Sequence, residues 1–244
     1  MIGFGSWRII KNTIDMIDIK HIRVIAFDAD DTLWDCQSHF DHVEQHLYRL
    51  IAPYCDDPKA ELFKTESGNM ADLGYGCKAF TISVIETALR VGGEKIPADD
   101  LAELLAHSKQ LLQLPATPLP EVEHTLRQLS ESRYRLAVFT KGELQDQENK
   151  LKRSGLDGYF SHVEITSDKR EQEFRGLCSH LGILPAELLM VGNSFKSDIA
   201  PALRIGASAV HIPFHVQWQL EHSEEFDHER LVRIDHLGQL LDIV

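Results

Sequence analysis

Three carboxylates follow one short apolar run in the stretch RVIAFDADDTLWD. The run from Val24 to Phe27 predicts a buried strand, because it is short and rich in β-branched and aromatic residues. Asp28 and Asp30 lie two positions apart and point the same way if the backbone stays extended, whereas Asp31 points elsewhere. Two desolvated carboxylates repel each other, and a hard divalent cation relieves that repulsion. The stretch therefore predicts a metal-dependent pair of acids at the end of a strand.

Polar residues also follow three later predicted strands. Thr140 ends the strand YRLAVFT, Lys169 follows the strand HVEIT, and the strand ELLMVGN leads into Asn193 and Asp198. Open parallel sheets bind ligands at the carboxyl ends of their strands, so we expect these side chains to meet. Carboxylates there would hold Mg²⁺, a hydroxyl and an ammonium would hold a phosphoryl group, and one carboxylate would attack it. Lys141 competes with Lys169 for the role of the lysine.

The order of the predicted elements indicates the fold class. From about residue 120 onward helices and strands alternate, which predicts parallel strands in an open sheet covered on both faces. Before that alternation, a block of amphipathic helices ends at the proline-rich stretch LPATPLP. We predict an α/β fold with a doubly wound, Rossmann-like parallel sheet. Its core comprises residues 1–34 and 115–244, and residues 35–114 form an inserted helical domain.

Composition limits the class of partner. The chain has 244 residues, 43% of them hydrophobic, and a formal net charge of −13. Nucleic acids and anionic membranes are bound through basic surfaces, so we expect neither as a partner. The apolar stretches are all too short for a membrane-spanning helix.

The cysteines and the N-terminal stretch indicate the compartment. The four cysteines show no CxxC pairing, which favours free thiols in a reducing cytoplasm. Arg8, Lys11 and Asp15 interrupt the apolar residues of the N-terminal stretch, which is therefore unlike a signal peptide. We favour Met16 over Met1 as the natural start.

The motifs together resemble the haloacid dehalogenase superfamily, in its phosphatase branch with a helical cap. The resemblance runs from residue 22 to about residue 212 and depends on the DADDT motif, followed in order by Thr140, Lys169 and VGNSFKSD. It implies that Asp28 is the nucleophile and Asp30 the general acid and base. It also implies that Thr140 and Lys169 bind the transferring phosphoryl group, and that the helical block is a cap over the site.

The resemblance further implies a Mg²⁺ site made by Asp28, the backbone carbonyl of Asp30, and Asp198. The family usually has an acid after the glycine of its last motif, where this chain has Asn193. An amide oxygen can ligate Mg²⁺ but brings no charge. We expect Asn193 to join the metal site and Asp198 to supply most of the binding.

The function that follows is a Mg²⁺-dependent phosphomonoester hydrolase acting on a small phosphorylated metabolite through an aspartyl phosphate, as a monomer or homodimer. Three alternatives stay open: a 2-haloacid dehalogenase, a phosphomutase, and a non-catalytic binding or regulatory relative. The dehalogenase is disfavoured because it would leave Asp30 and Asp198 without a role. The loop around Tyr75, between residues 68 and 80, either reaches the substrate or only joins two helices.

Overall fold

A computed structural model of the chain describes residues 19–244, so the predicted start at Met16 lies outside the described residues. A parallel sheet forms the centre of the molecule. In the described part of the chain it has six strands, which are β1 Val24–Phe27, β2 Arg135–Lys141, β3 His162–Thr166, β4 Leu188–Gly192, β5 Ser208–His211 and β6 Leu231–Arg233.

The strand order is β3-β2-β1-β4-β5-β6, and every neighbouring pair is parallel. In β1, Val24 pairs with Arg135 of β2 on one side and with Leu188 of β4 on the other. The chain therefore winds outward in both directions from β1, which confirms the predicted doubly wound sheet. A crevice for a ligand is expected at the carboxyl end of β1, where the winding direction reverses.

Helices cover both faces of this sheet, and successive residues of each strand serve the two faces alternately. Ile25 and Phe27 belong to one apolar core, and Val24 and Ala26 belong to the other. The helices of the α/β part are α5 Val122–Ser130, α6 Leu144–Ser154, α7 Glu171–Leu181 and α8 Ala200–Ile205, the last preceded by a π-helical turn, Phe195–Ile199.

Four helices lie between β1 and β2, and we call this segment the helical insertion. They are α1 Gln37–Ile51, α2 Pro58–Leu73, α3 Cys77–Gly92 and α4 Ala98–Gln110. The insertion has its own apolar core, which includes Leu47, Val84 and Leu104. The start of α2 follows from local sequence, since the Asp57 side chain accepts a hydrogen bond from the Ala60 amide and Pro58 occupies the first turn. The assignment of this segment as a separate domain stays a prediction.

The two chain segments that connect the insertion to the sheet lie side by side. Trp34 forms an antiparallel bridge with Pro118, and the amide of Leu119 donates to the carbonyl of Leu33 at 2.9 Å. The Trp34 side chain is buried. The segment that enters the insertion and the segment that leaves it are thus hydrogen-bonded to each other.

The last strand of the sheet has no counterpart in the sequence prediction. Leu231–Arg233 is three residues long and follows an irregular, highly charged stretch, so it shows no readable alternation. Within residues 19–244, no helix is long and apolar enough to cross a membrane.

Candidate active site

The predicted site residues line one cavity at the carboxyl edge of the sheet. Its volume is about 170 Å³, and the helical insertion forms its other wall. All six residues predicted from the sequence are among its lining residues, namely Asp28, Asp30, Thr140, Lys169, Asn193 and Asp198.

Lys169 bridges two carboxylates at the centre of this cavity. Its Nζ atom lies 2.5 Å from Asp28 Oδ1 and 2.7 Å from Asp198 Oδ1, and all three side chains are buried. Burial and the charge of Asp198 raise the pKa of the Asp28 carboxyl, while the Lys169 ammonium opposes that rise. Burial alone would lower the pKa of Lys169, but the two carboxylates outweigh it and raise that pKa. Lys169 is therefore a buried cation in direct contact with the predicted nucleophile.

Asp198 is held on both of its oxygens. Besides the contact with Lys169, its Oδ2 accepts a hydrogen bond from the Ser194 amide at 2.9 Å. Gly192 makes room for it, because a Cβ atom at that position would lie 2.3 Å from Asp198 Oδ2. These contacts hold Asp198 beside Lys169, and its predicted role as a metal ligand stays a prediction.

Asp28 and Asn193 each place a side-chain oxygen near the hydroxyl of Thr32. The Thr32 hydroxyl lies 3.2 Å from Asp28 Oδ2 and 3.3 Å from Asn193 Oδ1. A hydroxyl has one proton and donates to one of them at a time. The Asn193 backbone is fixed by His211, whose Nε2 lies 3.0 Å from the Asn193 carbonyl oxygen. This donor set consists of oxygens, one of them charged, and fits a hard divalent cation.

Asp30 lies in a separate set of hydrogen bonds. Both of its oxygens accept from Lys150 Nζ, at 2.8 and 2.6 Å, and it also accepts from Trp34 Nε1 and Gln147 Nε2. Burial would raise the pKa of the Asp30 carboxyl, but the Lys150 ammonium and these hydrogen bonds outweigh burial and lower it. The side chain of Lys150 is itself buried, and Asp146 lies 3.6 Å from its ammonium. Asp30 is therefore held as a carboxylate.

Asp31 differs from the two carboxylates before it. Its backbone has a φ of 63°, and one carboxyl oxygen accepts the amides of Cys36 and Gln37 at 2.8 and 2.9 Å. The residue thus shapes the turn that leads into α1.

Thr140 is buried next to the end of β2. Its hydroxyl oxygen accepts from Gln147 Nε2 at 2.6 Å, the same amide nitrogen that lies 3.2 Å from Asp30. Gln147 therefore ties the predicted phosphoryl ligand to the predicted acid and base.

The structure separates the two competing lysines. Lys141 Nζ contacts Glu221 Oε1 at 2.5 Å and Ser197 Oγ at 2.7 Å. Glu221 is buried and also accepts from the Ser194 hydroxyl at 2.6 Å. Burial would raise the pKa of Glu221, but Lys141 and these hydroxyls outweigh it and lower it. Lys141 is thus committed to Glu221, and the lysine that contacts Asp28 is Lys169.

The insertion contacts the α/β part on two sides of the cavity. On one side the Tyr75 ring lies 3.9 Å from Lys141 Nζ and packs edge-on against Trp218. On the other, Cys77 Sγ lies 3.3 Å from Asp146 Oδ2. The loop around Tyr75 therefore reaches the wall of the cavity, although most of residues 68–80 are helical.

Several residues of the site were missed by reasoning from sequence. Asp146, Gln147 and Lys150 share the inward face of α6, and their i, i+1, i+4 spacing is a signal that could have been read. An inward helix face with polar residues, next to predicted strand ends, indicates a site. Glu221 and Trp218 lie in a largely irregular C-terminal segment, whose sequence shows no helix or strand periodicity from which they could be predicted.

Comparisons with known proteins agree with this geometry. The sequence profile of the haloacid dehalogenase-like hydrolases matches residues 22–206. A glyceraldehyde 3-phosphate phosphatase from Methanothermobacter thermautotrophicus is 26% identical over 237 residues, covering 91% of this chain and 100% of the relative. A phosphoglycolate phosphatase from Vibrio vulnificus is 27% identical, covering 92% and 97%.

Solved structures show the same fold. A haloacid dehalogenase-like family hydrolase from Xanthomonas campestris has a TM-score of 0.81 and 28% identity, covering 90% of this chain and 88% of that one. An L-2-haloacid dehalogenase from Xanthobacter autotrophicus has a TM-score of 0.61 at 19% identity, covering 91% and 98%, and this likeness extends to the fold alone. The profile match spans most of the chain and includes every residue from Asp28 to Asp198 that lines the cavity. The chain belongs to the haloacid dehalogenase-like hydrolases.

Proposed function

We propose that the chain is a Mg²⁺-dependent phosphomonoester hydrolase that acts on a small phosphorylated metabolite through an aspartyl phosphate on Asp28. The observation that carries the proposal is the buried Lys169 ammonium, 2.5 Å from Asp28 and 2.7 Å from Asp198. A cation fixed beside a carboxylate is suited to attract a dianionic phosphoryl group to the atom that will attack it. The phosphatases that are similar to 91% and 92% of this chain support the same reaction class.

The first half of the reaction uses Asp28 as the nucleophile. One of its oxygens forms a bond to phosphorus while the bond from phosphorus to the ester oxygen breaks. Thr140 and Lys169 hold the phosphoryl oxygens during this transfer. The negative charge of the bound substrate raises the pKa of Asp30 against the effect of Lys150, so that Asp30 takes up a proton. Asp30 then gives this proton to the departing ester oxygen.

In the second half, water attacks the aspartyl phosphate. Asp30 takes a proton from that water, and the ionised state in which Lys150 holds it suits this step. The bond between Asp28 and phosphorus breaks, which releases inorganic phosphate and restores the carboxylate.

Asp28, Asn193, Asp198 and the backbone carbonyl of Asp30 are the residues that would hold Mg²⁺. The side-chain oxygens Asp28 Oδ2 and Asn193 Oδ1 both lie near the Thr32 hydroxyl, and Asp28 and Asp198 both contact Lys169, which supports a shared site. When bound, the ion supplies positive charge that offsets the charges of the carboxylates and of the phosphoryl oxygens.

Phosphate release from an aryl phosphate tests the proposal. We expect turnover with Mg²⁺, its loss in EDTA, and its recovery when Mg²⁺ is added in excess. Protein carrying Asp28→Asn, purified in the same way, controls for contaminating phosphatases. Full turnover in EDTA would contradict the metal assignment. Halide release from a 2-haloacid, with no phosphate release, would favour the dehalogenase alternative.

Asn193→Asp tests the metal site more closely. The substitution adds a charged ligand oxygen, so the Mg²⁺ concentration that gives half-maximal activity should fall by about tenfold. Ser194→Ala, at the next residue but with its hydroxyl directed to Glu221, is the matched control. An unchanged Mg²⁺ requirement in Asn193→Asp would remove Asn193 from the site.

A further inference from the structure

The cavity has a second end, away from Asp28, that the proposed chemistry does not use. We call it the insertion end, and it is lined by Glu44, Glu66, Asn69 and Phe80 from the insertion and by Trp218 from the C-terminal segment. The part of a substrate that leaves after phosphoryl transfer must lie there, because the other end holds the phosphoryl group. The charges of the insertion end therefore select the leaving group.

Positive charge at this end is absent from the described residues. No lysine, arginine or histidine of the insertion, which the structure describes completely, lines the cavity. Lys78, on the first turn of α3, is exposed and does not line the cavity, and it is already paired with Glu143, which does. A substrate with a carboxylate on its leaving group would find no cation in this wall.

The lysines that do line the cavity are already paired. Within residues 19–244 they are Lys141, Lys150 and Lys169, and each lies within hydrogen-bond distance of a carboxylate oxygen of the α/β part. Lys169 is assigned to the phosphoryl group. Moving Lys141 or Lys150 to a second anion would leave the buried Glu221, or the partly buried Asp30, without its counter-ion, which is costly.

Glu66 gives the insertion end an acceptor that can recognise a substrate. Its side chain is 7% exposed, and in the described structure its one hydrogen bond comes from Trp218 Nε1, at 3.2 Å to Oε2. Burial raises the pKa of this carboxyl to about 7. Its other oxygen, Oε1, has no partner among residues 19–244. A substrate hydroxyl or ammonium group would satisfy this oxygen, whereas a carboxylate would be repelled above pH 7, where Glu66 is ionised.

Building on the proposed function, we propose that the substrate is a phosphate ester of a small hydroxyl- or amino-bearing compound without an acidic group. Phosphate esters whose leaving group carries a carboxylate are disfavoured by Glu66 and Glu44, and by the absence of an unpaired cation opposite them among residues 19–244. Among the similar proteins, the name glyceraldehyde 3-phosphate phosphatase describes a substrate of the first kind, and phosphoglycolate phosphatase one of the second.

The test compares three-carbon esters of matched size on the full-length chain with Mg²⁺ at pH 8, where Glu66 is ionised. We expect kcat/KM for glycerol 3-phosphate and glyceraldehyde 3-phosphate to exceed that for 3-phosphoglycerate by at least about tenfold, because the carboxylate lies near like charge in a poorly hydrated site. Equal values, or a preference for 3-phosphoglycerate, would overturn the inference. An aryl phosphate, measured alongside, separates the two proposals. If it is not hydrolysed, and no other ester is, the proposed function fails and the inference fails with it.

Substitution of Glu66 tests whether this residue causes the preference against 3-phosphoglycerate. Glu66→Gln keeps the shape and the acceptor for Trp218 but removes the charge, so the preference against 3-phosphoglycerate should shrink severalfold, mainly through a lower KM for the acid. Glu61→Gln, on the same helix but paired with Arg90 at the surface, is the matched control and should keep the wild-type ratio. An unchanged ratio in folded Glu66→Gln would overturn the assignment. If that variant does not fold, the wild-type substrate comparison decides.

Discussion

The two ends of the cavity differ in how their charges are balanced. At the end near β1, each buried lysine contacts a carboxylate, as Lys169 does with Asp28 and Asp198. At the insertion end, Glu66 has a hydrogen bond from an indole and no cation within reach in the described structure. We expect the end with paired charges to bind the dianionic phosphoryl group and to carry out the proton transfers. We expect the end with the unpaired Glu66 to discriminate among leaving groups by their charge.

The largest effect that this comparison predicts is at Asp28. Asp28→Asn removes the oxygen nucleophile, so turnover of every phosphate ester should fall by about 10⁴-fold or more. Single-turnover assays with an alkyl and an aryl phosphate measure it. Asp35→Asn is the control, since the Asp35 side chain accepts an amide of the α1 start and lies outside the site. Residual activity of Asp28→Asn within tenfold of wild type would mean that another group attacks phosphorus.

Asp30→Asn should produce a smaller loss that depends on the leaving group. General acid and base help is worth about 10²–10⁴-fold, and an alkoxide needs the proton far more than a nitrophenolate does. Phosphoenzyme formation should therefore slow strongly with an alkyl phosphate and weakly with an aryl phosphate. Hydrolysis of the aspartyl phosphate should slow for both, so the aryl substrate should give a burst. Equal losses on the two substrates would show that Asp30 supports the fold or the metal instead.

Lys150→Met tests whether charge balance near β1 is needed for stability. The change leaves the buried Asp146 and the partly buried Asp30 without their shared counter-ion, so the free energy of unfolding should fall by about 3–5 kcal/mol. Urea unfolding followed by circular dichroism measures it. Lys152→Met, exposed on the same helix, should change stability by less than about 0.5 kcal/mol. Similar values for the two variants would contradict the view that this ion pair is tightly coupled to the fold.

The smallest predicted effect tests the unbalanced end. Burial raises the pKa of Glu66 from 4.5 to about 7, so between these values the folded chain keeps a proton that the unfolded chain releases. Stability from this group is therefore lost as pH rises through that window. Glu66→Gln removes the loss and should stabilise the protein at pH 8 by on the order of 1–3 kcal/mol more than at pH 4.5. Thermal unfolding at both pH values measures it, and a pH-independent difference would contradict the shift.

Much of the α/β part could be predicted from sequence because its signals are local. The predicted strand HVEIT coincides with His162–Thr166, and Asp28, Thr140 and Lys169 could be proposed as site residues because each ends a predicted strand or follows one within three positions. The parallel order of the strands follows from their alternation with helices. Predicting these residues required no knowledge of distant contacts.

The other residues of the site depend on tertiary contacts that cannot be predicted from local sequence. Lys150 lies on a predominantly polar helix, and only its burial against Asp30 distinguishes it from exposed lysines such as Lys152. Glu221 is 80 residues from Lys141 in sequence, and its neighbours form no regular pattern. Asp198 contacts Lys169 through a tertiary contact that no spacing rule supplies, while its predicted metal binding stays a prediction. Such residues are determined by how the elements pack.

Trp34 gives the connection between the insertion and the sheet a mechanical meaning. Its backbone pairs with Pro118 in the adjoining connection, while its indole Nε1 donates to Asp30 Oδ1 at 2.7 Å. A rotation of the insertion about these two connections would displace the indole, and with it the Asp30 carboxyl that accepts its hydrogen bond. The position of the insertion is thereby coupled to the side chain that we propose as the acid and base.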